Sequence, residues 1–587
     1  MSKHLDQVVN SRRVRKIDDQ GETSYLARSY ASYDNLQFQP YEPGLLNGIA
    51  DQLDATRVTC AIDINKSYIP RDKLHEILPL EKVRTIVDHP CFSDDTNKDE
   101  LTMAIYHGSS PSKPCLKLMA VLIGMEMLEH LPKCLAEGMD DGCVSTLIMD
   151  EKQLLYCQYH KTHHSTVNKF PRLDHKKRFA EWSYALVAPY IKCDKEQHSH
   201  YILRCGDVFP MAFGSKVPKQ TGKGPANVSS FAYGGFSEVY QVRIEESHCD
   251  FGDVGMRHPH GLFALKKLTS HDPETFNLEL ASILFSMDNS SEKEDNHLIQ
   301  LLATFEVPDP SVGGSTYYLL FDWAEGTLNS FWRQNVDLVG DRSHCKWMSE
   351  QFYALCRALQ CVHNERQQTL RSIDSSTLER SLHGQIHAAE NLYGRHGDIK
   401  PDNFLWFSLK HRPDGILVLS DFGLGRLHTQ VSRSNQNPRE MGWTATYRAP
   451  EFDLPDGMVS RASDIFGLGC VFLEYVTWYL LGLHSVENEF PDLRMESDIH
   501  DFRSDTFFNI REQRPHLKSS VKDWISRLQR HNNCTQYIHQ LLEIIRDKML
   551  EPEREKRISI LLLIKQMEAL WQACERDDSF YLEDAQK

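Results

Sequence analysis

The run His396-Gly397-Asp398-Ile399-Lys400-Pro401-Asp402-Asn403, followed by Leu419-Ser420-Asp421-Phe422-Gly423, decides how this chain is read. Between the two lie the apolar runs Phe404-Leu405-Trp406-Phe407 and Ile416-Leu417-Val418-Leu419, joined by His411-Arg412-Pro413-Asp414-Gly415. Apolar runs separated by a Pro-Asp-Gly turn predict a β-hairpin, which brings the two polar clusters to one end. Each residue type then has a task. A carboxylate at Asp398 orients a hydroxyl nucleophile and takes its proton. Lys400 neutralises charge on a transferring phosphoryl group, and Asn403 and Asp421 are oxygen ligands suited to a divalent cation.

Upstream, Phe263-Ala264-Leu265-Lys266 reads as a strand. A lysine on a strand can aim its ammonium at nucleotide phosphates, provided an acid holds it. Glu279, on a helix whose Leu280, Ile283 and Leu284 face a core, is the expected partner, ahead of Glu274. Earlier still, Ala232-Tyr233-Gly234-Gly235-Phe236-Ser237-Glu238-Val239 places two glycines between strand-type residues.

Taken in this order, residues 228–575 resemble the eukaryotic protein kinase family. Asn403 follows Asp398 at the spacing of H-R-D-x-x-x-x-N, and Asp421 opens a D-F-G. The stretch 232–239 resembles the loop G-x-G-x-x-G-x-V, with Ala232 and Ser237 at two glycine positions and Gly234 at the middle one. The resemblance implies an α+β, bilobal fold: a small β-rich N-lobe at about 228–323 and a large helical C-lobe at about 324–575. It implies ATP bound against Ala232, Gly234, Gly235, Ser237, Val239, Ala264, Lys266 and Leu405, with a hinge at Phe321, Asp322 and Ala324. It implies Mg²⁺ (or Mn²⁺) on Asn403 and Asp421. Thr444, in Gly442-Trp443-Thr444-Ala445-Thr446-Tyr447-Arg448-Ala449-Pro450-Glu451, is expected to touch Lys400 and Asp398, as in the serine/threonine-specific subgroup. Asp464 is expected to brace the catalytic loop and Arg557 to pair with Glu451. The string from Gly394 to Asn403 and the long N-terminal extension are similar to a group of fungal protein kinases.

The expected activity is transfer of the γ-phosphoryl group of ATP to Ser/Thr hydroxyls of protein substrates, with Asp398, Lys400, Lys266, Glu279 and Thr444 as the catalytic set. Gly397 stands where the family usually has Arg, the residue that grips a phosphorylated activation loop. The altered glycine loop raises a rival reading, a scaffold with a kinase fold. A small-molecule phosphotransferase is a second rival, disfavoured because Thr444, Glu451, Asp464 and Arg557 are all present. Two segments, 366–393 and 484–530, extend the kinase pattern and read as surface elaboration or docking insertions.

The 587 residues divide unevenly. Residues 1–43 read as poorly ordered, 44–205 as a mainly α-helical N-terminal domain, 206–227 as a linker and 576–587 as a tail. The domain 44–205 is expected to bind a protein partner. Pro79 interrupts its helical pattern, Leu116–Leu135 is its strongest buried helix, and 173–192 another. With 66 Lys+Arg against 82 Asp+Glu, the net charge of −16 disfavours a nucleic-acid coat protein. Fifteen cysteines at irregular spacing suit reduced thiols inside a cell, cytoplasmic, with nuclear entry allowed by Arg12-Arg13-Val14-Arg15-Lys16. The N-terminus lacks the apolar segment of a secretory leader, and the run Val471–Leu483 carries Glu474, so it reads as a buried core helix rather than a membrane span. Cys157, His160, His163, His164, His175 and Cys193 crowd together, with His198, His200 and Cys205 beyond. Their spacing fits no zinc motif, and a polar helix face plus loop is the expectation.

Overall fold

The computed structural model describes residues 41–585 except 43, 94–96, 109–112, 194–197, 205, 215–231, 235–236, 253–260, 289–296, 310–312, 364–391, 410–411, 422–427, 430–444, 456 and 498–502. The expectations for 1–40, most of the linker, Gly235, Phe422, Thr444 and nearly all of the 366–393 insertion therefore lie outside the described residues.

Residues 45–186 are mostly short helices around a core of their own. Pro79 separates the helices Arg71–Ile77 and Leu80–Ile86, because proline has no N–H to continue the first and suits the start of the second. The long helix expected over Leu116–Leu135 is divided. Leu116–Gly124 is helical, a 3₁₀ turn covers Leu128–His130, and Leu131–Ala136 resumes. The break falls at Glu126, whose φ of 59° no helix accommodates. Gly124 has a packing reason: a Cβ there would lie 2.5 Å from the Trp182 ring on the helix Leu173–Leu186. That helix stops before Pro189 instead of running to 192, and Ile191–Lys192 is a strand.

A seven-stranded sheet follows. From one edge its order is His200–Ile202, Leu301–Asp309, Gly314–Asp322, Leu262–Leu268, Ser237–Ile244 and Met211–Phe213, with Ala232–Gly234 also paired to Ser237–Ile244. The sequence boundary at 205 and the linker from 206 both fail here. The strands at 200–202 and 211–213 are sheet members, too short to show a two-residue period. Alternation along Leu262–Leu268 divides its side chains between two faces. Phe263 and Leu265 turn to a core shared with Tyr68, Ile191, Tyr201 and Phe209, so the segment before the sheet covers its outer face. Ala264 and Lys266 point the opposite way, towards the second lobe.

That lobe is helical and holds the largest core. Its centre is Arg461–Leu481, started by a capping box in which Ser460 and Ser463 satisfy each other's backbone. Among the described residues this is the helix long and apolar enough to cross a membrane by length and composition, and it is 94% buried inside the protein, the core position expected from sequence. The segment 484–530 is more than a surface insertion. Its Arg494 is buried, with Nη2 donating to Glu474 at 3.2 Å, Lys518 Nζ donates to the Arg494 and Ser504 carbonyls, and Phe490 and Trp524 stack in the core. The 576–587 tail includes a short helix, Ser579–Leu582, whose Tyr581 is buried.

One further grouping departs from expectation. Cys157, His160 and His164 do not line a helix face; they converge with Cys143, which the sequence reading omitted. His163 instead meets Asp150 at 2.9 Å, and His198 and His200 both bond Thr304 Oγ1 at 2.8 Å.

Candidate active site

The hairpin predicted between the polar clusters is present: Phe404–Leu409 pairs antiparallel with Arg412–Leu419, Phe404 opposite Leu419. Its open end joins the two clusters, since Ser420 N–H and Oγ both donate to the Asn403 carbonyl, at 2.9 and 3.0 Å. Asp398 sits on the loop entering the hairpin. Lys400 Nζ lies 2.6 Å from its Oδ2, and Asn403 Nδ2 donates to the Asp398 carbonyl at 2.7 Å and to Oδ2 at 3.2 Å. Asp398, Lys400 and Asn403 thus form one hydrogen-bonded group.

This loop is held from beneath. Asp464, on the central helix, accepts from the backbone N–H of His396 and of Gly397, both at 2.9 Å, and from His363 Nε2 at 2.8 Å. Burial disfavours the Asp464 charge, but His363, with smaller contributions from His396 and Arg395, outweighs it and holds the carboxyl below its usual range. Burial pushes His363 down, against the opposing pull of the Asp464 carboxylate that it contacts. His363 was not foreseen: it ends a helix distant in sequence and carries no local signal. Gly397 has φ 84°, in the left-handed region where a side chain is strained, which gives the glycine a backbone reason. His396 Nε2 meets the Ser420 carbonyl at 2.9 Å, tying the loop to the residue before Asp421.

Glu451 and Arg557 pair as expected, at 2.9 and 3.1 Å in a two-pronged contact, with Ser463 Oγ donating to Glu451 at 2.7 Å. A small pocket lies against Asp398, bordered by Arg395, Tyr447, Arg448 and Phe452.

From the sheet lobe, Lys266 Nζ reaches Glu279 Oε1 at 2.8 Å and Asp421 Oδ1 at 3.1 Å. Burial opposes the Lys266 charge, yet the two carboxylates outweigh it and hold the ammonium above its ordinary range. Glu274 has no part in this pair. Asp421 adopts φ 64°, a conformation that Asp tolerates better than most residues and that marks a constrained position. Strand register puts Val239 opposite Lys266 and Ala264 opposite Phe321, so Val239, Ala264 and Phe321 share the lobe's inner region. Leu405, on the hairpin, and Ala324, just after the strand ending at Asp322, are half-buried against the helical lobe's core, while Asp322 is buried. Ala232, Gly234 and Ser237 pair across a hairpin: Ala232 opposite Val239, Gly234 opposite Ser237. The donor set available to a metal, the Asp421 carboxylate and the Asn403 amide, is all oxygen and fits a hard cation.

Residues 380–568, about a third of the chain, match the family model for the protein kinase domain. Lys266, Glu279 and the glycine-bearing hairpin lie before that span. A serine/threonine-protein kinase of Saccharomyces cerevisiae is 38% identical over 99 residues, 15% of this chain and 14% of that one. Serine/threonine-protein kinase SSN3 of Yarrowia lipolytica is 31% identical over 125 residues, 21% of this chain and 30% of that one. Cyclin-dependent kinase E-1 of Arabidopsis thaliana is 27% identical over 160 residues, 27% and 28% of the two chains. The matches span at most 30% of these relatives' own lengths. Over residues 380–568 the chain is thus similar to the protein kinase domain, and in part to eukaryotic serine/threonine kinases, fungal ones among them.

Proposed function

We propose that the protein transfers the γ-phosphoryl group of ATP to Ser/Thr hydroxyls of protein substrates. The observation that carries this is the convergence of Asp398, Lys400 and Asn403 with Asp421, which Lys266 and Glu279 approach from the other lobe. In this reading Asp398 Oδ2 accepts the proton of the substrate hydroxyl as it attacks phosphorus, and Lys400 balances the charge that builds on the phosphoryl oxygens. Lys266, held by Glu279, orients the α- and β-phosphates. Val239, Ala264 and Leu405 close on the adenine, with backbone bonds from the Phe321–Ala324 hinge. Asn403 and Asp421 would hold Mg²⁺ or Mn²⁺, which supplies charge neutralisation across the phosphates.

Gly397 cannot clasp a phosphate as Arg does, so activity independent of that clasp is part of the proposal. The relatives named as cyclin-dependent suggest a protein partner for this chain too, and the covering segment before the sheet lobe is the proposed contact. An intracellular site of action, with nuclear entry allowed, completes the reading.

The test is labelled-phosphate transfer from ATP to a generic protein substrate by the full chain, with Lys266→Met beside wild type. Transfer should be abolished in the variant while its circular dichroism stays unchanged. Undiminished transfer by Lys266→Met overturns the proposal. Transfer to aminoglycosides or choline but not to protein favours the small-molecule rival.

A further inference from the structure

Cys143, Cys157, His160 and His164 present four ligand atoms that all lie within 4.8 Å of one another. Cys143 Sγ is 3.1 Å from His160 Nδ1 and 3.6 Å from His164 Nε2, and Cys157 Sγ is 4.0 Å from His160 Nδ1. A tetrahedron built on Zn–S of about 2.3 Å and Zn–N of about 2.0–2.1 Å has S···N edges of roughly 3.5 Å. The three separations bracket that value, so one ion between the four atoms would need shifts of a few tenths of an ångström. We propose that these residues form a structural zinc site, Cys₂His₂, in the helical segment that precedes the kinase lobes.

The fold around the cluster suits this role. Cys143 stands on the helix Asp141–Thr146, whose start is capped by the Asp140 carboxylate accepting from Cys143 N–H at 3.2 Å. Cys157 ends the strand Leu155–Cys157, and its backbone closes a tight turn with Thr162 through bonds of 2.8 and 3.2 Å. Within that turn His160 N–H points to Cys157 Sγ at 3.4 Å, a donor that steadies a thiolate. His164 immediately precedes the next helix, Ser165–Asn168, and its Nδ1 lies 4.0 Å from Glu137 Oε2, too far for a direct hydrogen bond. Glu137 is itself fixed by Thr166 N–H and Oγ1 at 2.8 to 3.1 Å, which keeps a carboxylate near the His164 ring. Gly142 is closely packed: a Cβ there would sit 2.9 Å from the Asp140 carboxylate and 3.3 Å from the Tyr159 ring beside His160.

Two thiolates and two imidazoles select zinc over Mg²⁺ or Ca²⁺, which take oxygen ligands. Three of the four ligands are buried and all four positions come from protein, the closed form of a structural site rather than a catalytic one. The elements concerned are short: a six-residue helix, a three-residue strand and a four-residue helix. Pieces this small gain most from a metal staple.

The test uses the full chain purified without added metal. It should carry about one zinc per chain by elemental mass spectrometry. Cys157→Ser and His160→Ala should fall below about a tenth of that, while His163→Ala, whose ring belongs to Asp150, should keep it. His160→Cys should restore binding and, with cobalt exchanged for zinc, strengthen the sulfur-to-metal charge-transfer band. If Cys157→Ser does not fold, the wild type decides: cobalt exchange must give the intense visible spectrum of a tetrahedral thiolate site. A folded wild type with under about a tenth of a zinc and no cobalt spectrum overturns the proposal. A Cys143–Cys157 disulfide in freshly purified protein, or zinc retained by a folded Cys157→Ser, overturns it as well.

Discussion

Glu451–Arg557 and Lys266–Glu279 are ion pairs of similar length in two lobes, and their surroundings separate them. The first is sealed, with side chains 3% and 0% exposed, and every prong of Arg557 is used: Glu451 twice, then the carbonyls of Glu551, Ala462 and Pro552. The second is 15% and 12% exposed and shares its ammonium with Asp421, which is 47% exposed. A buried pair with all its hydrogen bonds satisfied is architecture, since removing either member strands a charge in a low-dielectric interior. A pair at the edge of a cleft, with a half-exposed third member, can exchange partners when a phosphate arrives. Asp398–Lys400 belongs to the second kind, with the first kind directly beneath it at Asp464.

The comparison predicts which substitutions uncouple activity from stability. The largest effect is expected at Asp398→Asn: phosphoryl transfer should drop by about 10²–10⁴-fold with the thermal midpoint nearly unchanged. Equal drops in activity and in melting temperature would place Asp398 with the architectural residues instead. Arg557→Ala should do the opposite and lower stability by about 3–5 kcal/mol in denaturant titration, with activity lost only because folded protein is lost.

Acid sharpens the contrast differently. Burial pushes His344, in the helical lobe against Trp347 and Tyr475, down to about 4, and His248 at the junction with the N-terminal segment also to about 4. His248 Nε2 accepts from Arg71 N–H at 3.2 Å, and its Nδ1 meets the Pro189 carbonyl at 3.2 Å. Unfolded, each would titrate near 6.5, so the unfolded chain takes up protons first as pH falls. Stability should therefore be complete above about pH 6.5 and decline towards pH 4, by about 3 kcal/mol for each histidine. Urea midpoints at a series of pH values check this, and His344→Phe should flatten the slope. An unchanged slope would mean that the helical lobe opens elsewhere first. The smallest effect is expected at Ser460→Ala, which removes one half of the capping box on the central helix and should lower stability by about 1 kcal/mol without changing ATP dependence.

Legibility in the sequence followed the distance between partners. The candidate cluster was readable because Asp398, Lys400 and Asn403 are neighbours on the chain, and one hairpin suffices to deliver Asp421. Lys266 and Glu279 needed only a strand and the helix after it. The bracing histidine, His363, was missed because it meets Asp464 across the lobe, with nothing local to mark it. The strands at 200–202 and 211–213 were missed because a three-residue strand shows no period; only pairing with longer strands makes it a strand.

By itself the sequence determined the order of the chemical groups, the hairpin between them, the pairing of Glu451 with Arg557 and the two-lobed plan. Tertiary structure decided what covers the outer face of the sheet, which charges are sealed and which can move, and that Cys143 joins Cys157, His160 and His164. Local spacing records only what one turn, strand or helix brings together. Burial and ligand geometry depend on where separate elements pack, and no window of the chain contains that.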